Sequence, residues 1–401
     1  FAAGFPHDVF TRLRREAPVW FHPPTRHTPG GEGFWVLSRY AEIAAVAADA
    51  ATYSSATGPR EGGGTLLEDL PPAFAGVLLN MMDDPRHRRV RRLVTPAVAP
   101  RALARMETEL RERAAAIVEA AAARDVCDFP VDVAAELPLQ AIARLLGVPQ
   151  ADRHRLFAWA NATLDYEGRE LGEQSTASRE AAVAMQEYGT ALIAEKRRCP
   201  ADDMLSAVVH GAVAGADGVP GPLSELELLM FFNLLIAAGS ETTRNSIAIG
   251  IAALSERRDD WEALAADPGL RARAVEEILR WASSTLYNRR TATRGVSLGG
   301  RTIRAGDKVA LWWASANRDE AVFPDPFRFD VRRDPNPHLA FGDGAHFCLG
   351  AALARIEIRV ILDVLLERFE AVELLGPIVW TRSNKHAGVR HMPVRLRPRA
   401  T

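Results

Sequence analysis

The sequence predicts a mainly α-helical fold with a small β region, and three observations carry that prediction. Most of the chain reads as alanine-, leucine- and arginine-rich segments with apolar residues at helical spacing. The segments with strand-like composition gather between residues 296 and 313, around Gly299-Gly300 and Ala305-Gly306-Asp307. No Gly/Ser-rich or Pro-rich linker, repeat or low-complexity tract divides the chain. A length of 401 residues would allow about two or three domains. The longest polar break, residues 199–221, is only loop-sized, so one domain spanning residues 1–401 is expected.

Composition narrows the class. A hydrophobic fraction of 48% with 25% charged residues supplies a sizeable core and a water-facing surface. The formal net charge of −2 gives no bulk attraction to nucleic acid or to an anionic membrane. The longest apolar run, residues 228–238, is too short to cross a bilayer and contains Asn233, so it reads as a buried helix. The start of the chain lacks the basic, apolar and small-residue order of a signal peptide. Cys127, Cys199 and Cys348 are too few and too scattered for a disulfide framework. A cytosolic protein without a membrane anchor is therefore expected.

Taken in chain order, residues 62–79 combine glycines with Leu66, Leu67 and Leu70, the pattern of a long loop free to move. A helix then begins near Pro85 and carries the basic run 86–92. Its His87 and Arg91, four apart, share one face, whereas Arg88, Arg89 and Arg92 point more outward. Ser224 with Glu227 forms a capping-box signature that opens a long helix through about Leu254. That helix is weakened in its middle by Ala238-Gly-Ser-Glu-Thr-Thr243, because glycine there costs up to about 1 kcal/mol relative to alanine. Close packing against a neighbour and a functional break both explain such a segment. Leu234, Ala237, Ala238 and Thr242 fall on one face of it.

Glu277 and Arg280, three apart on the next helix, would ordinarily be an exposed pair worth little. Val296–Leu298 and Arg301–Ile303 read as a hairpin about Gly299-Gly300, and residues 308–313 as a further strand. In Phe341-Gly-Asp-Gly-Ala-His-Phe-Cys348-Leu-Gly350, a lone cysteine follows a glycine-rich turn. Leu349, Leu353, Ile356, Val360 and Val364 then mark a helix. Gly342 and Gly344 permit a tight turn, and the helix N-terminus favours thiolate over thiol. A lone cysteine is more often an inert buried residue. Its setting between Phe341, two glycines, His346 and Gly350 argues for presentation to a metal.

That decapeptide resembles F-G-x-G-x-H/R-x-C-x-G of the haem-thiolate monooxygenases, the cytochromes P450, and further matches run from about residue 80 to the C-terminus. Residues 238–243 likewise resemble the family's A/G-G-x-D/E-T-T/S segment, in which the long helix opens over the iron. The resemblance implies the cytochrome P450 fold, with haem b (iron protoporphyrin IX) between that helix and the helix after the cysteine loop. Cys348 would be the iron ligand. Phe341, Gly342, Gly350, Ala238 and Gly239 would surround the haem, while His87, Arg91, Arg290 and His346 would receive its propionates.

The reaction needs two protons delivered to dioxygen before the O–O bond breaks, and the resemblance assigns that relay to Glu241 and Thr242. Glu277 and Arg280 match the family's E-x-x-R, joined by Arg328 in a buried network. The implied pocket comprises Leu234, Ala237, Ala238, Leu286, Tyr287 and Asn288, with Lys385 and His386 at a C-terminal hairpin tip. A solvent-facing Lys385 is the alternative. Implied substrates are O2 and a largely apolar small molecule, lipid-like, terpenoid, steroid or polyketide. Electrons would come from a separate ferredoxin or flavodoxin with its reductase, docking on a monomer at Arg88, Arg89 and Arg92. Oxidative phenol coupling, peroxide-driven oxidation and a non-catalytic haem sensor or carrier stay open.

Overall fold

The computed structural model describes residues 1, 4–26, 28–164, 175–215 and 218–399. Residues 216 and 217 of the polar break lie outside them. The helices that position the site are α1 (Arg86–Val94), α2 (Pro100–Ala122), α3 (Glu136–Leu146), α4 (Glu225–Ser255), α5 (Arg271–Ala282) and α6 (Ala351–Arg368). Strands β1 (Val19–His22), β2 (Phe34–Leu37), β3 (Tyr53–Ser54), β4 (Asn288–Ala292) and β5 (Lys308–Leu311) form one sheet in the order β1-β2-β5-β4-β3. The helical mass and the small sheet agree with the predicted class.

Helix α4 starts where the capping box places it. Ser224 Oγ accepts from the Glu227 N–H at 3.3 Å, and Glu227 Oε2 accepts from the Ser224 N–H at 2.9 Å. These two bonds satisfy donors that a helix start otherwise leaves open. The helix runs 31 residues without interruption. Its middle therefore does not open at residues 238–243 as the resemblance implied. Glycine there serves close packing instead: a Cβ on Gly239 would stand 2.8 Å from Ile142 Cδ1 of α3. Around α4, Phe232, Ile251 and Leu254 pack with Leu137 of α3, Ile278 of α5 and Ile361 and Leu365 of α6 in one buried cluster. Each such side chain contributes about 1.5–3 kcal/mol when fully removed from water.

The predicted hairpin forms between Val296–Leu298 and Arg301–Ile303. The strand expected over 308–313 stops at Leu311, and Trp313–Ala316 turns helical. Strand β5 is buried throughout, pairing parallel with β2 and antiparallel with β4. At the C-terminus, Val379–Trp380 pairs with Val389–His391, and residues 381–388 form the tip between them. The loop 62–79 is anchored rather than loose. Asp69 accepts from Arg289 Nη1 at 2.5 Å and lies 3.2 Å from Lys308 Nζ, both cations being buried in the sheet.

Candidate functional site

A cavity of about 1280 Å³ lies between α4 and the cysteine loop. Ordinary small-molecule pockets span about 300–1,000 Å³, so this space can hold a large planar cofactor and a further molecule. On one side stand Leu234, Ala237, Ala238, Gly239, Glu241 and Thr242 of α4. Opposite them lie Phe341, Gly342, His346, Cys348 and Gly350. The turn is built for close approach. Gly344 has φ +68°, and a Cβ on it would meet the Ala47 carbonyl at 2.3 Å.

The Cys348 sulfur is accessible from the cavity, while its own N–H donates to Phe341 O at 2.9 Å. Burial pushes the thiol pKa up, and the Gly350 N–H with the charges of Arg91 and Arg355 offsets this only in part. The helix end favours thiolate through the Gly350 N–H, as expected, but does not outweigh burial. Stable thiolate at this depth needs a metal cation bonded to the sulfur. Among the described residues no cluster of three or more His, Cys, Asp or Glu could hold a metal by itself. A single sulfur donor suits a metal that brings its other ligands in a macrocycle.

Two arginines and two histidines gather on the cavity wall. His87 and His346 have ring centroids 4.1 Å apart, and Arg91 Nη2 donates to Phe347 O at 2.6 Å. Arg290 is buried, and its hydrogen-bond partner is the Arg289 carbonyl at 3.1 Å rather than a carboxylate. Burial, followed by the charges of Arg290, His87 and Arg91, drives the His346 pKa down to about 2. The charges of Arg91 and Arg290, whose hydrogen bonds go to backbone carbonyls, call for buried anions, and the two imidazoles can donate N–H bonds to them. Two propionates match this demand, so the residues present fit a haem.

On the α4 side, Glu241 is buried, with its carboxylate 3.8 Å from Arg244 Nη2. Thr242 Oγ1 donates to Ala238 O at 3.0 Å, a local bond that a stronger acceptor in the cavity could replace. One acid on this wall escaped the sequence reading. Glu357 of α6 lines the cavity, 1% exposed, and burial lifts its pKa to about 8 against a hydrogen bond with the Thr243 side chain. Its only sequence signal is an acid within the apolar spacing of α6.

The buried ion network forms with one change of partner. Glu277 and Arg280, both 0% exposed, make paired 2.7 Å bonds. The third charged member is Arg333, whose Nε donates to Glu277 Oε2 at 3.1 Å. Arg328 is exposed and offers only its backbone carbonyl to Arg280 and Arg333. Phe329 takes the inward place beside it, 1% exposed.

Other expected residues divide similarly. Tyr287, Asn288, Lys385 and His386 line the cavity. Leu286 does not. It packs behind the wall with Phe10, Trp312 and Ala314. Arg88 and Arg92 are exposed, and Arg89 is half-buried with Nη1 donating to Ala214 O at 2.7 Å.

The cytochrome P450 family model matches residues 171–375. A Mycobacterium tuberculosis protein with the provisional name cytochrome P450 126 is 51% identical over 399 residues, covering 99% of this chain and 95% of that protein. The chain belongs to the cytochrome P450 family. It is an oxidoreductase, a P450 monooxygenase that uses haem, O2 and a small-molecule substrate. Methyl-branched lipid omega-hydroxylase of M. tuberculosis is 40% identical, over 96% of this P450 and 90% of the relative. Cytochrome P450 CYP268A2 of Mycobacterium marinum, solved with pseudoionone, superposes with a TM-score of 0.88 at 37% identity. That match covers 97% of this chain and 94% of the other. Among the described residues of this P450, no helix is long and apolar enough to cross a membrane.

Proposed function

We propose that this P450 inserts one oxygen atom of O2 into a largely apolar, lipid-like molecule, as a single-domain monomer working in the cytoplasm. The observation that carries the proposal is the cavity itself, in which Cys348 faces the Glu241–Thr242 segment and Arg91, Arg290, His87 and His346 stand ready for two carboxylates. Its α4 wall is apolar at Leu234, Ala237 and Ala238. The lipid named for one relative and the ketone bound to another agree with an apolar guest.

When bound, haem b would supply the iron that reduces and activates O2. Cys348 Sγ would hold that iron, with Phe341, Gly342 and Gly350 on the sulfur side and Ala238 and Gly239 opposite. Arg91 and Arg290 would neutralise the propionates, and His87 and His346 would donate hydrogen bonds to them. Thr242 Oγ1 would give up its bond to Ala238 O and present its proton to the oxygen, and the buried Glu241 carboxyl would resupply it. Electrons would come from a ferredoxin or flavodoxin and its reductase. The test is a compound screen by haem optical shift, then mass analysis of products with and without ferredoxin. In the same preparation Cys348→Ser should lose the red-shifted Soret band of the reduced carbon monoxide complex. A variant retaining that band would remove Cys348 as the iron ligand.

A further inference from the structure

The C-terminal hairpin tip carries a charged residue where an apolar chamber would favour an aliphatic one. Lys385 stands on the cavity wall, fixed from both sides by backbone bonds. Its carbonyl accepts from the Leu286 N–H at 2.9 Å, and the Ala387 N–H donates to Ser284 O at 3.0 Å. Its Nζ donates to Tyr287 O at 2.5 Å and lies 4.6 Å from the Tyr287 ring centroid. These contacts orient the head group without supplying an anion. Burial and then the charge of Arg290 lower its pKa to about 7, and no carboxylate counters them. An ammonium has three donors, of which the Tyr287 carbonyl takes one.

We propose that Lys385 anchors the oxygen-bearing end of the substrate, a carboxylate or ketone oxygen on an otherwise apolar molecule. A pure hydrocarbon would leave the buried donors unpaired, whereas an acceptor oxygen satisfies them. A site built around such a bond rejects analogues that lack it. The propionates do not need this lysine, because Arg91 and Arg290 with His87 and His346 line the cavity and would receive them. The inference rests on reading the cavity as a haem and substrate chamber.

The test uses the haem-loaded chain and three ligands of similar length: dodecanoic acid, methyl undecyl ketone and dodecane. Binding is read by the optical shift of the haem. The acid or the ketone should bind at least about tenfold more tightly than dodecane, the factor expected of a hydrogen bond to a charged group. Lys385→Met should abolish that preference, with dodecane binding at least as tightly as before because no donor is left unpaired. Lys385→Gln, which keeps a donor without charge, should retain preference for the ketone and lose it for the acid. The stronger of the two oxygenated ligands identifies the substrate as anionic or neutral. Equal affinity for all three ligands in the unmodified protein, or an intact preference in Lys385→Met, overturns the proposal. So does faster haem transfer from Lys385→Met to apomyoglobin with uniform weakening of all ligands, which would assign the lysine to a propionate. Failure of the underlying reading is separate, since it would appear as loss of the thiolate carbon monoxide spectrum in the unmodified protein.

Discussion

At Glu357 the cavity wall holds an acid that stays protonated at neutral pH. Its folded pKa of about 8 lies above the ordinary 4.5 because burial opposes the charged form. Below about 4.5 the group is protonated whether folded or unfolded and has no effect on stability. Between about 4.5 and about 8 the unfolded chain has released the proton and the folded chain has kept it, so stability falls as pH rises. Above that window the full loss remains. Glu357→Gln carries no such proton and should flatten the curve. Thermal unfolding of the haem-loaded proteins should show similar midpoints at pH 5 relative to each other, and a higher midpoint for the glutamine variant at pH 9. Parallel curves would mean that Glu357 ionises in the folded protein at its ordinary pH. The acid adjoins Thr243 rather than Thr242, which is why the motif spacing that singled out Glu241 and Thr242 passed over it.

Among the elements, the loop between β5 and the cysteine turn depends on the buried Glu277 carboxylate. Besides Arg280 and Arg333, that carboxylate accepts from the Asp330 N–H at 2.7 Å and from Asn336 Nδ2 at 3.1 Å. It thereby fixes both ends of residues 330–336 to α5. Removing one charge from a buried pair costs about 3–5 kcal/mol, because the partner is left uncompensated. Arg333→Ala should lower unfolding stability by about that amount and reduce haem content. Arg328→Ala should stay within about 0.5 kcal/mol, as surface substitutions usually do. Denaturant titration of the two variants separates the assignments, and the reverse order would restore Arg328 to the network. Local signals were legible in the sequence: the capping box at Ser224 and Glu227, the hairpin at Gly299-Gly300, the helix after Cys348. What depends on the path of a loop was not. Arg328 and Arg333 have the same charge in the same segment, and only the fold decides which reaches Glu277. Strands β1 and β2 escaped for a related reason, being four residues each, with β2 paired to β5 from the far end of the chain and β1 paired to β2. Leu286 shows the same limit within a cavity wall, where its neighbours Thr285 and Tyr287 face inward and it turns into the core.

For the molecule as a whole, the proposed function has electrons reaching the cysteine side of the cavity, since oxygen and substrate would take up the α4 side. Helix α1 joins that side directly. His87 packs on His346, and Arg91 bonds the Phe347 carbonyl just before Cys348. With these two turned inward, Arg88 and Arg92 face solvent one turn apart on a protein whose formal net charge is −2. A local basic patch on a nearly neutral molecule suits an acidic partner such as a small ferredoxin. Charge complementarity of this kind mainly accelerates encounter and is screened by salt. Reduction by ferredoxin should therefore slow as ionic strength rises. Arg88→Glu with Arg92→Glu should slow it further at low salt, with the haem spectrum and substrate affinity unchanged. Arg89 makes a control within the same helix, because it is half-buried and its guanidinium is directed to the Ala214 carbonyl. Stopped-flow reduction at two ionic strengths measures all of this. Unchanged rates in the double variant at low salt would place the docking face elsewhere.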